Sequence, residues 1–142
     1  MRVHTIIEAG NNELDLSNLN DQVTPFRIIS IDSQGGFSTF SPELLGMKSD
    51  IYGDFCFGNV MVNNFFDIFQ QDKFNQVLSD IEAGVQLCAE TCEYFFLCGG
   101  GAPSNKYFEN GSFVSAETMY CRYTIKKPLE IVLTELEASL HI

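Results

Sequence analysis

A chain of 142 residues fits one domain and is long enough to bury a core without disulfide or metal staples. Its composition, 45% hydrophobic and 13% aromatic with 13 phenylalanines and no tryptophan, is that of a folded protein and excludes wholesale disorder. A formal net charge of −11 repels phosphates, so nucleic acid and anionic membranes are excluded as partners and a basic peptide or protein surface is favoured.

Residues 1–22, rich in Asn and Asp (GNNELDLSNLND), read as a loosely held lead-in to a domain over 23–142. The opening MRVHTIIEAGNNELDL has no continuous apolar stretch, and no later run reaches bilayer-spanning length. Neither a secretory signal nor a transmembrane helix is expected, which points to a cytoplasmic protein. "FRIISID", "SQGG" and "FSTFS" predict strand, glycine turn, strand. "SPELLGMKSD" predicts a turn or one helical turn started by Ser41-Pro42, and "FCFGNVMV" a further strand. Phe74, Val77, Leu78, Ile81 and Val85 recur at helical spacing and predict a helix over 71–90. "ENGSF" carries an Asn-Gly turn suited to a small hairpin. Leu129, Val132, Leu133, Leu136 and Leu140 predict a C-terminal amphipathic helix, with Pro128 at its first position. The expected fold class is α+β: a small hairpin sheet, then helices and a cysteine-rich knuckle.

The cysteines carry the chemistry. Five is an odd number in a chain that reads as intracellular, which favours metal or redox chemistry over a disulfide framework. Cys56, between Phe55 and Phe57, reads as a buried core residue. The others follow the pattern Cys88-x3-Cys92-x5-Cys98, with Cys121 after a gap of 22 residues. Four thiolates suit a structural zinc or a [4Fe–4S] cluster. Three clustered ligands and one distant one resemble cluster ligation more than the paired spacing of zinc knuckles. Cys88 extends the helical stripe and Cys92 lies one turn on, so both sulfurs share a face if the helix persists. Gly99, Gly100 and Gly101 allow close approach to a bound group and a nest of N–H donors, while Phe95, Phe96 and Leu97 shield it from water.

The run "C-x3-C-x5-C-GGG-A-P-S-N-K-Y-F-E-N-G", followed by "ETMYC", resembles the C-terminal SPASM-type domain of radical SAM peptide maturases. It is most similar to the cyclophane-forming GrrM group, which acts on glycine-rich ribosomal precursor peptides. "IDSQGGFSTFSPELLG" and "YGDFCFGNV" are similar to the segments that precede the knuckle, so the resemblance runs from about Pro25 to Leu140. It implies that Cys88, Cys92, Cys98 and Cys121 hold one auxiliary [4Fe–4S] cluster. It also implies that a second cluster is absent, because Ser41 and Ala102 stand where two of its cysteines belong. The catalytic C-x3-C-x2-C motif is missing and the chain has no room for the barrel, so it offers no S-adenosylmethionine site and is not catalytic alone. The implied partners are a radical SAM barrel, as a missing N-terminal domain or a separate subunit, and a precursor peptide. The reading from a different class is a zinc-stabilised interaction module without a redox role.

Asn105 and Lys106 read either as contacts to a substrate or acidic group or as residues that complete a turn, and Tyr107 and Phe108 as packing. His4 and His141 lie at opposite ends of the chain and make no site. No Ser-His-Asp set, phosphate loop or catalytic carboxylate pair emerges.

Overall fold

The computed structural model describes residues 20–140; most of the expected lead-in, His4 and His141 lie outside the described residues. The fold is α+β. Strands β1 (Ile29–Ile31) and β2 (Gly36–Thr39) form the expected hairpin, with Ile29 opposite Thr39 and Ile31 opposite Phe37. Asp32 closes the turn: its Oδ1 accepts the N–H of Gln34 at 2.8 Å and of Gly36 at 2.9 Å. Gly35 takes φ 84°, a left-handed value that glycine adopts without strain. Two short strands, β3 (Lys48–Ser49) and β4 (Gly53–Asp54), pair with each other, and β5 (Gly58–Asn59) adds to the far side of β2.

The strand expected over "FCFGNVMV" shrinks to β5; Val60 still packs on the core, but Met61 and Val62 face solvent, 82% and 83% exposed. Asn59 and Asn63 end it. The Asn59 N–H donates to the Asn63 side chain at 2.9 Å and the Met61 N–H to the Asn59 side chain, which curls the chain out of the sheet. The structure also corrects Cys56. In the link between β4 and β5, Phe55 and Phe57 are fully buried while Cys56 between them is only half-buried.

Helix α1 (Asp72–Thr91) matches the expected span. Phe74, Val77, Ile81, Gly84 and Cys88 form its buried stripe at steps of three and four, the spacing that aligns side chains on one helical face. Phe74 anchors the core: it stacks on Phe40 at 5.9 Å and meets Phe57 edge-on at 5.2 Å. Phe37, Phe55, Leu44, Ile68 and Phe113 complete that core between sheet and helix.

A short helix α2 (Phe95–Cys98) follows, then α3 (Pro103–Asn110), which opens on a proline and closes on Gly111 at φ 74°. The hairpin expected at "ENGSF" is therefore absent; Asn110-Gly111 is a helix C-cap. Helix α4 (Met119–Cys121) runs through a π-helical segment (Arg122–Lys126) into α5 (Lys127–Leu140). Pro128 is thus inside a continuous helical run instead of at its start. The turn just before it is widened: the Lys127 N–H reaches back to the Arg122 carbonyl, a π-helical bond. None of the α5 residues is buried, and Ile131, Val132, Leu136 and Leu140 are exposed. Among the described residues, no helix is long and apolar enough to cross a membrane.

Candidate functional site

The core stripe of α1 ends on Cys88, which is buried with its sulfur 3.6 Å from the Gly100 carbonyl. The helix stops at Thr91, so Cys92 does not continue it; its φ of −115° and ψ of 116° are extended. Its N–H still donates to the Cys88 carbonyl at 2.9 Å, which keeps the two cysteines one turn apart on the same side. Cys98 closes α2, and Gly99, Gly100 and Gly101 all take positive φ, the left-handed region that disfavours side chains. Their conformation turns the chain back over Cys98, so that the Gly101 N–H donates to the Cys98 carbonyl at 3.4 Å and the N–H groups of Gly100 and Gly101 lie beside its thiol. Burial pushes the Cys98 thiol above its usual range, those two N–H groups oppose the shift, and the nearby Cys92 and Cys88 add to it. Gly100 has a packing role as well, since a Cβ there would stand 3.1 Å from Val85 of α1.

Cys121 reaches the same place through α3 and α4. The Glu109 carboxylate accepts the N–H groups of Met119 at 2.5 Å and Tyr120 at 3.3 Å, capping the new helix from the side. Asn110 holds the approach by donating to the Glu117 carbonyl at 2.9 Å. Thr118 accepts the Cys121 N–H at 3.1 Å through its hydroxyl, and its own N–H points at the Cys121 sulfur at 3.4 Å. This reciprocal cap fixes the fourth thiol on the helix N-terminus.

Cys88, Cys92, Cys98 and Cys121 line one cavity of about 320 Å³, at the lower end of the range that holds small ligands. Cys56 is outside it, its thiol donating to the Gly58 carbonyl at 3.3 Å. Among the described residues, no three His, Cys, Asp or Glu side chains are grouped so as to hold a single metal ion. The expected shield is partial: Phe95 lines the cavity, whereas Leu97 is exposed.

Several cavity residues escape a reading of the sequence. Asn20 and Gln22 lie in the segment expected to be a loose lead-in, yet both line the cavity, and the Asn20 side chain donates to the Gly101 carbonyl at 2.8 Å. Nothing local in the sequence signals a contact between residues 81 apart. Lys106 completes no turn; it lies in α3, is buried, and donates to the Gly84 carbonyl at 2.6 Å. Asn105 also lines the cavity, and Tyr107 packs on Phe113, but Phe108 is exposed. At the rim, Glu117 pairs with Lys126 at 2.5 Å and with Arg122. These cations hold its carboxyl below the usual range, Lys126 contributing most.

Fold and site together define an α+β domain whose four cysteines, three on helices and Cys92 just beyond one, open on a shared cavity. Over 129 residues the chain is 52% identical to "Uncharacterized protein sll1766" of Synechocystis sp. (strain ATCC 27184 / PCC 6803 / Kazusa), an alignment covering 91% of this chain and 32% of that one. The chain therefore spans about a third of the length of the curated relative it matches. No family model matches it, and no solved structure matches it.

Proposed function

We propose that this domain is an auxiliary [4Fe–4S] domain of the SPASM type, serving a radical SAM system that modifies a ribosomally made peptide. One observation carries the reading: of five cysteines, the four that the motif selects line one cavity and the fifth does not. The donor set fits the group. Four thiols are its usual complement, and backbone N–H groups beside a ligating sulfur, as Gly100 and Gly101 are beside Cys98, are of the kind that tunes a cluster.

Cys88, Cys92, Cys98 and Cys121 would hold the cluster, which when bound supplies one-electron chemistry. The residues around it position and shield: Phe95 and Ile125 contribute apolar wall, and the Gly100–Gly101 segment contributes donors. A single cluster is supported by the two substituted positions. Ser41 is fully buried and accepts the N–H of Ser104, two residues beyond Ala102, at 3.2 Å. The segments that resemble a second cluster's ligand positions are thus joined by a hydrogen bond.

In this reading the domain works in the cytoplasm with a radical SAM barrel, joined or separate, and its acidic surface favours a basic precursor. The unmatched two thirds of the Synechocystis relative leave space for such a barrel in that protein. Anaerobic reconstitution is the test. The expected product binds about four irons and four sulfides per chain and gives a paramagnetic signal on reduction. Stoichiometric zinc uptake with no iron or sulfide would replace the cluster with a zinc-stabilised module.

A further inference from the structure

Lys106 is the most deeply buried cation among the described residues, at 3% exposure, and it lines the cysteine cavity. Its ammonium has three N–H donors, yet its hydrogen bond goes to a neutral acceptor, the Gly84 carbonyl, at 2.6 Å. No carboxylate pairs with it among the described residues. Lys126, which also lines the cavity, differs: Glu117 already compensates it at 2.5 Å. A buried ammonium without a counter-ion is costly, and such charges are retained where an anion compensates them.

The backbone is shaped to keep the ammonium there. Gly84 occupies the α1 stripe one turn before Cys88, and a Cβ at Gly84 would stand 3.3 Å from the Lys106 nitrogen and 2.0 Å from the Phe113 carbonyl oxygen. The missing side chain opens the slot through which Lys106 crosses from α3 to α1. The cavity wall thus carries four thiols and one buried cation without its own anion.

We propose that Lys106 is the buried counter-charge of this cavity, a positioning residue that compensates the net negative charge of a thiolate-ligated cluster and raises its reduction potential. The inference rests on the cluster reading above. Four thiolates outweigh the positive charge of the iron–sulfide core, so the ligated group is an anion, and one added electron makes it more so. A fixed cation nearby favours the reduced form, and net charge is among the terms that set such potentials.

The experiment is a redox titration, followed by absorbance and electron paramagnetic resonance, of the full chain reconstituted anaerobically with iron and sulfide. Removing the charge by Lys106→Met is expected to lower the equilibrium constant for one-electron reduction about tenfold, a shift of ~59 mV to more negative potential. Lys106→Gln keeps a donor for the Gly84 carbonyl while removing the charge, and should shift the same way even if the methionine variant folds poorly. Lys106→Arg should stay close to wild type, and Lys126→Met should shift less than Lys106→Gln. A loaded Lys106→Gln protein with an unchanged potential overturns the proposal and leaves the cluster reading intact; so does an equal shift in the Arg and Gln variants. A wild-type chain that takes up no iron and sulfide overturns both.

Discussion

Gly84 shows how a single position can oppose a local preference for the sake of packing. In an exposed helix interior, exchanging glycine for alanine gains about 1 kcal/mol. Here the alanine Cβ would meet the Phe113 carbonyl oxygen at 2.0 Å, far inside contact distance, and that oxygen belongs to backbone that cannot swing aside. Gly84→Ala is therefore expected to destabilise the protein by about 1–3 kcal/mol or more, the cost of overpacking a core, when measured by urea denaturation. A stabilised variant would mean that the α1–Phe113 contact is looser than described. The same residue-scale reasoning separates the cysteines. Cys56 shares its flanking phenylalanines' sequence environment, yet in the link between β4 and β5 both phenylalanines are buried and Cys56 is only half-buried, which the residue type alone does not reveal. Phe40 is a bulky residue at φ 72°, a conformation usually avoided, and its full burial against Phe74 holds it there.

At the scale of elements, α1 was legible because five apolar positions repeat at its period, and the β1–β2 hairpin because Asp32 and Gly35 mark its turn. The segment after α3 was not. An Asn-Gly pair serves a hairpin turn or a helix C-cap equally well, and the choice here follows from Pro103 starting a helix whose Lys106 is received by Gly84. The Glu117 brace links the loop before α4 to the π segment after it, and its contribution depends on pH. Its folded carboxyl is held low by Lys126 and then Arg122, so the unfolded chain binds the proton at higher pH. The stabilisation is complete above the ordinary carboxylate range, about pH 4.3, and is lost as pH falls through the folded value. Glu117→Gln should lower the melting temperature modestly at neutral pH, with the gap to wild type closing as pH falls through the folded value and narrowing in high salt. A gap that persists in acid would assign the effect to packing.

For the whole molecule, the separation of the four cavity cysteines from Cys56 makes a direct comparison possible. Cys98→Ala should abolish stoichiometric metal loading and loosen the knuckle around α2, because ligand binding and local folding are coupled. Cys56→Ala should keep full loading, checked by iron and sulfide analysis of the two variants side by side. Equal loading in both would remove Cys98 from the ligand set. The exposed stripe on α5 has the apolar period of a packed helix but no covering element among the described residues. The periodicity showed an amphipathic helix; it did not show whether anything within this chain covers it.

What the sequence by itself determined are the features that local chemistry dictates. These are the α+β class, the span of α1, the β1 turn, the glycine loop, and the set of four cysteines distinguished by spacing. Periodicity, turn residues and backbone freedom act over a few residues, so a linear reading reaches them. The tertiary structure decided the rest. It carried Cys121 to the knuckle through the Glu109 cap, tied Asn20 to Gly101 across 81 residues, and buried Lys106 in a slot made by Gly84. Each of those outcomes depends on two segments meeting in space, and the free energy that selects them comes from packing and desolvation, which spacing along the chain does not encode.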